Sequence, residues 1–208
     1  RHLKAVTISA TLENSDTVSF FYLCLKFSRM KPVSSIVFYY FSGTGNSRKV
    51  VSWLEEVAHR HQVAVVVHDI SRQPLPPPAP DDLVVICSPV HGFNYPPLVL
   101  GFLRRFPRGK NPVMLMNTRA GMLIGRWVTP GLSGVAFLWA ALMLWLKGYT
   151  IRGMHPVDMP SNWISVHPGL NQRTVKFLHE VNKPRVTRLA EKLVAGRTDF
   201  KALRELVQ

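Results

Sequence analysis

Residues 42–47 read Ser-Gly-Thr-Gly-Asn-Ser, which places three hydroxyls, one amide and two glycines within six positions. They follow an apolar run, 36–41, suited to a buried strand, and they precede a helical pattern that opens at Arg48. A glycine-rich turn from strand to helix aims backbone N–H groups at one point, and the positive end of the helix dipole adds to them. Ser42, Thr44, Ser47 and the amide of Asn46 supply further hydrogen bonds, so the set suits a phosphate monoester. No Lys follows Gly45 as it would in a nucleoside-triphosphate loop, so ATP and GTP are not expected. The glycine spacing also differs from the G-x-G-x-x-G of dinucleotide loops.

The elements that must hold this loop can be read from hydrophobic periodicity and turn residues. Strands are expected at 35–41, 63–68, 83–88, 113–117 and 149–157. Helices are expected at 47–61, from Pro96-Pro97 to 105, at 133–147 before Gly148, and at 172–195, where Pro184 should kink or split the helix. The proline-rich stretch 71–82 cannot be a regular helix. This alternation implies an α/β domain, a parallel sheet with helices on both faces. The fold is expected to occupy 30–197. Residues 1–29 then form an N-terminal extension, and 198–208 a tail with a short amphipathic helix.

In such a sheet ligands bind at the carboxyl ends of the strands, where loops 42–47, 88–95 and 117–125 should meet. Loop 88–95 offers Pro89, Val90, His91, Gly92, Phe93 and Tyr95. Gly92 permits a close approach. Phe93 and Tyr95 either face a flat ring or cap the end of the sheet, and His91 either meets the ligand edge or is solvated. Loop 117–125 offers Asn117, Thr118, Arg119, Ala120 and Gly121, whose small residues let backbone N–H groups face a polar ring edge. Arg119 either sits beside that edge or points to solvent.

The Ser42–Ser47 hexapeptide resembles the phosphate loop of flavodoxins, Ser/Thr-x-Thr-Gly-Asn-Ser/Thr, at all six positions. The resemblance extends over about 35–193. It implies a three-layer flavodoxin-like fold with five parallel strands in the order 2-1-3-4-5, and FMN as cofactor. In that family the loop cradles the FMN phosphate without a basic side chain. Gly-Tyr-Thr-Ile-Arg-Gly at 148–153, Met-Pro-Ser-Asn-Trp at 159–163 and Ser-Pro-Val-His-Gly-Phe at 88–93 resemble the flavodoxin-like half of flavodoxin–ferredoxin fusion proteins. Asn162 and Trp163 either close over the ring or pack. Two departures stand out. Arg119-Ala120-Gly121 replaces a Gly-Gly pair, and no ferredoxin cysteine motif is present, only Cys24 and Cys87. Cys87 lies in an apolar run and is expected to pack as a small hydrophobe.

The function this implies is electron transfer through FMN, to or from a redox partner such as a ferredoxin or iron–sulfur domain. An FMN-dependent NAD(P)H:quinone-type oxidoreductase is the first alternative and a flavin-free interaction module the second. No catalytic residue and no metal site is expected. The net charge of +14 favours acidic partners or anionic surfaces. Without zinc-finger spacing or an aromatic-interleaved basic stripe, nucleic acid is not expected. Residues 127–146 carry no charged residue and include three Trp. The helix at 133–147 is apolar all round, which points to a buried helix or subunit contact, to a membrane-surface or partner contact, or to a membrane span, against which Pro130, Gly131 and Gly134 argue. A reducing compartment is expected, hence a cytoplasmic location, with peripheral membrane association left open.

Overall fold

The computed structural model describes residues 31–124, 127–129, 131–160 and 170–207. The expected extension at 1–29 and the motif residues Ser161, Asn162 and Trp163 lie outside these. The elements in chain order are β1 Ser35–Tyr40, α1 Asn46–Arg60, β2 Ala64–Asp69, β3 Leu83–Pro89, α2 Pro97–Arg105, β4 Pro112–Ile124, β5 Trp127–Thr129, α3 Ala136–Leu146, β6 Thr150–Pro160, α4 Gln172–Val194 and α5 Lys201–Val207. The parallel strands run β2-β1-β3-β4-β6 across the sheet, which is the order 2-1-3-4-5 of a flavodoxin-like fold.

Both faces of the sheet are covered, as continuous apolar strands require. Ile36, Phe38, Val85, Met114 and Met116 pack with Val50, Leu54 and Val57 of α1 and Val186, Leu189 and Leu193 of α4. The alternate residues Val37, Tyr39, Ile86, Val113 and Leu115 pack with Val99 and Leu103 of α2 and Phe137, Ala140 and Leu144 of α3. The period-two alternation of strand side chains accounts for this division.

Four features differ from the sequence expectations. β4 does not stop at Asn117 but continues to Ile124, because β6 pairs with it in parallel as far as Gly121↔Pro160. Beyond the end of β3, the short antiparallel strand β5 joins β4 through Met122↔Thr129 and Ile124↔Trp127, so the sheet has a sixth strand. α4 is not split at Pro184 but continues as one helix from Gln172 to Val194. Pro184 and Glu180 are both exposed, so the carbonyl that loses its helical partner is left to water, while the row Leu178, Val186, Leu189 and Leu193 anchors the helix on either side. The 198–207 segment is bound into the fold: Phe200 and Ala202 join the core, and Met154 N donates to Asp199 O at 2.8 Å.

Candidate functional site

β1 ends at Tyr40 between β2 and β3, so the chain leaves the sheet where the strand order reverses. Loop 42–47 and the loop after β3 flank that point, the usual position of a ligand crevice in open α/β sheets. Gly45 is the N-cap of α1, with φ 89° and ψ −14°. This is left-handed backbone that a residue with a Cβ adopts only at a cost. The cap makes no side-chain hydrogen bond, and the first turn of the helix holds no acid. Its N–H groups and dipole therefore favour an anion. Gly43, Thr44 and Gly45 are exposed, and a Cβ built on either glycine meets no atom within 4 Å.

The polar side chains of the loop divide into two groups. Ser47 is buried and shares a 2.9 Å hydrogen bond with the Thr118 hydroxyl, while its carbonyl accepts from the Cys87 thiol at 3.9 Å. Asn46 Nδ2 donates to the carbonyl of Pro160 at 2.9 Å. These two residues tie the start of α1 to the ends of β4 and β6. The Ser42 Oγ, by contrast, is buried without a protein partner. Buried hydroxyls are almost always hydrogen-bonded, so such an atom marks a place for a polar ligand or an ordered water. Asn117 repeats the pattern: it is fully buried, sits opposite Ser88 in the β3–β4 register, and neither polar atom of its side chain has a partner. The buried thiol of Cys87 is pushed up to about 12 by desolvation, so it is neutral and a poor nucleophile.

Loop 90–95 is a tight turn in which His91 and Asn94 exchange backbone hydrogen bonds of 2.8 and 3.2 Å. Phe93 stands at its tip with φ 65° and 57% exposure; His91 and Gly92 are exposed, and Pro89 and Val90 half-buried. Tyr95 is 1% exposed, donates its hydroxyl to Met116 O at 3.1 Å and packs edge-on against Phe137. Of the two aromatic candidates, Phe93 is therefore free to meet a ring, and Tyr95 is a core residue.

The 117–121 segment is a strand. Thr118, Arg119, Ala120 and Gly121 are registered against Val157, Asp158, Met159 and Pro160 of β6. The Arg119 guanidinium neither flanks an open ring site nor reaches solvent. Nε donates to Asp158 Oδ1 at 2.6 Å, Nη2 to Oδ2 at 3.3 Å, and Nη1 lies 2.8 Å from Glu205 of α5. Burial alone would lower the pKa of this group, yet the Asp158 and Glu205 carboxylates outweigh burial and hold it above its ordinary value. Asp158 Oδ1 also accepts from Gly131 N at 2.8 Å. The 131–135 segment consequently lies across this end of the sheet: Val135 N donates to Phe93 O at 2.9 Å, and a Cβ on Gly131 or Gly134 would collide with Ala120 or Phe93.

The structure thus brings together Ser42, Gly43, Thr44, Gly45, Asn46, Ser47 and Thr118 around the start of α1, with Asn117 near by in sequence. It holds Tyr95 and Arg119 within the core. Asp158 and Glu205 were not anticipated. They are isolated acids in the sequence, and nothing local signals that β6 and α5 deliver them to Arg119.

No family model and no curated protein matches the sequence. Among solved structures, an archaeal flavodoxin aligns at 15% identity and TM-score 0.48, covering 76% of this chain and 97% of the other. General stress protein 14 from Treponema denticola, in complex with FMN, aligns at 14% identity and TM-score 0.45, covering 77% and 96%. Rubredoxin oxygen:oxidoreductase from Desulfovibrio gigas aligns at 17% and 0.42, covering 77% of this chain but only 37% of that longer one.

Proposed function

We propose that this chain binds FMN through loop 42–47 and carries electrons between redox partners. The observation that supports this reading most directly is the loop itself. It has a left-handed Gly45 at an uncapped helix N-terminus, open space over Gly43 and Gly45, and a buried Ser42 hydroxyl that lacks a partner. A phosphate monoester would accept from the helix N–H groups and the Ser42 hydroxyl without needing a basic side chain. Bound flavin supplies one- and two-electron redox chemistry. The residues of this chain would hold it: Ser42, Thr44 and the α1 N–H groups at the phosphate, Phe93 against the ring, and the Asn117 amide at a polar edge. The partner in this reading is a redox protein such as a ferredoxin or iron–sulfur domain.

The phosphate end fits the group better than the ring end. Along 118–121 the backbone is engaged with β6, Arg119 is neutralised by two carboxylates, and 131–135 packs against Phe93 and Ala120. These observations favour, as a second reading, a flavodoxin-like interaction module that recognises a phosphate without a flavin ring.

Comparing FMN with riboflavin separates the two readings. Quenching of flavin fluorescence should give FMN affinity at least about a hundredfold above riboflavin, since several charge-assisted hydrogen bonds of about 1.5–3 kcal/mol each are at stake. Ser42→Ala should weaken FMN about tenfold and leave riboflavin unchanged. Folded protein that binds neither flavin refutes the flavin reading. Equal affinity for both refutes the phosphate loop.

A further inference from the structure

α3 is apolar on every side, yet only one side is buried. Ala136, Phe137, Ala140, Ala141 and Leu144 face the sheet. At 100° per residue, Val135, Leu138, Trp139, Leu142, Trp145 and Leu146 form one outward row about 16 Å long. Trp139 is 43% exposed and Leu146 59%. Among the described residues, all large exposed hydrophobics except Val66 lie between Phe93 and Leu146. The patch is therefore concentrated on the α2–α3 face of the molecule.

The charges on this face are predominantly basic; Glu205 of α5 lies on the same side of the sheet and is ion-paired with Arg119 and Lys201. The chain carries 26 Lys and Arg against 12 Asp and Glu, and from Leu83 to Val157 there is no acidic residue at all. Arg104, Arg105, Arg108 and Lys110 are exposed beside the carboxyl end of α3. Lys147 joins that end to them, donating to Arg104 O at 3.0 Å and Phe106 O at 2.7 Å. Of the acids of the helical layers, Glu55, Glu56, Glu180 and Glu191 are on α1 and α4 across the sheet, and Glu205 is on α5 on the α3 side. Among the described residues no helix is long and apolar enough to cross a membrane.

We infer that the α3 face docks on an anionic lipid bilayer. The row from Val135 to Leu146 enters the headgroup–acyl boundary, with the two Trp rings at the interface and the cluster 104–110 and Lys147 against lipid phosphates. A second copy of the chain is the weaker match, because it would bring two predominantly basic surfaces together. Trp and Leu on one side with a basic rim is the pattern of helices that lie in the membrane plane. Each Lys or Arg held near an anionic surface raises partitioning about fivefold. This inference does not depend on the flavin reading, and it is tested without added FMN.

The test is flotation of the full chain with vesicles of phosphatidylcholine alone or mixed equally with phosphatidylserine, with Trp quenching by brominated lipid as a readout that needs no variant. The expected result is binding to the anionic vesicles, weak binding to the neutral ones, and quenching on binding. Arg104→Gln with Arg105→Gln should weaken partitioning about thirtyfold. Trp139→Ser with Leu146→Ser should weaken it at least about tenfold at an unchanged melting temperature. Arg185→Gln with Arg188→Gln on α4 removes the same charge from the opposite face and should change it less than about twofold. The inference is overturned by absence of flotation at low salt, by equal losses for the α2 and α4 charge pairs, by binding without quenching, or by a dimer that shields the Trp residues from lipid.

Discussion

Replacing Asp158 with Ala tests whether Arg119 serves the architecture rather than a ligand. The side chains of Arg119 and Asp158 are 5% and 6% exposed, and the carboxylate accepts two guanidinium bonds and the Gly131 N–H. Among the described residues, the substitution leaves a buried cation held by Glu205, 30% exposed, and by Ser133 Oγ at 3.4 Å. Removing one partner of a buried pair costs about 3–5 kcal/mol. For a chain of this length that is a fall in Tm of roughly 6–20 °C. Glu205→Gln, at a partly exposed position, should cost no more than about 1 kcal/mol. Arg119→Met with Asp158→Leu should cost only about 1–2 kcal/mol, mainly for the orphaned Gly131 N–H, because exchanging both charges removes the desolvation penalty as well. Urea unfolding of Arg119→Met, of Asp158→Leu and of the double variant gives the coupling. Additive costs, or a loss below about 1 kcal/mol for Asp158→Ala, would show that water reaches the pair and would refute this account of Arg119.

Two further outcomes follow from the same geometry. Asp199 is buried, which raises a carboxyl pKa, but the His155 N–H and Lys192 at 2.9 Å hold it well below its ordinary value, while burial keeps His155 below 6.5 despite Asp199. Both groups bind protons more readily in the unfolded chain. Stability is therefore full above about pH 6.5 and declines as pH falls, first through His155 and below about 4 through Asp199. Asp199→Asn should flatten the acid limb of a urea-denaturation series, and an unchanged limb would contradict the assignment. Tyr95→Phe should cost about 0.5–1.5 kcal/mol by removing the hydroxyl's bond to the Met116 carbonyl and leave flavin affinity unchanged; a loss of affinity at full stability would place Tyr95 at the ligand after all.

Several elements could be read along the chain because their signals are local. The runs at 36–41 and 83–87 are apolar without interruption, and each makes a strand within a residue or two of the expected ends. Pro96-Pro97 opens α2 where the fixed proline φ suits a first turn. The turn 42–47 was legible because glycine, hydroxyl and amide residues at that spacing between strand and helix have few other uses. The 117–125 segment was misread for a related reason. Arg119, Ala120 and Gly121 have weak strand propensity, and only the ten-residue pairing with β6 overrides it.

The division between chain and fold follows from the range of each interaction. Hydrophobic period, turn chemistry and the Ser42–Ser47 hexapeptide act over a few residues, so the sheet, its helical layers and the glycine-rich turn are written in the order of the amino acids. Which loop hydroxyls stay available, and what Arg119 faces, depends on groups far apart in sequence. Thr118 takes the Ser47 hydroxyl, Pro160 takes the Asn46 amide, and Asp158 with Glu205 neutralises the guanidinium. Such pairings exist only once β4, β6 and α5 have docked, and tertiary packing alone determines them.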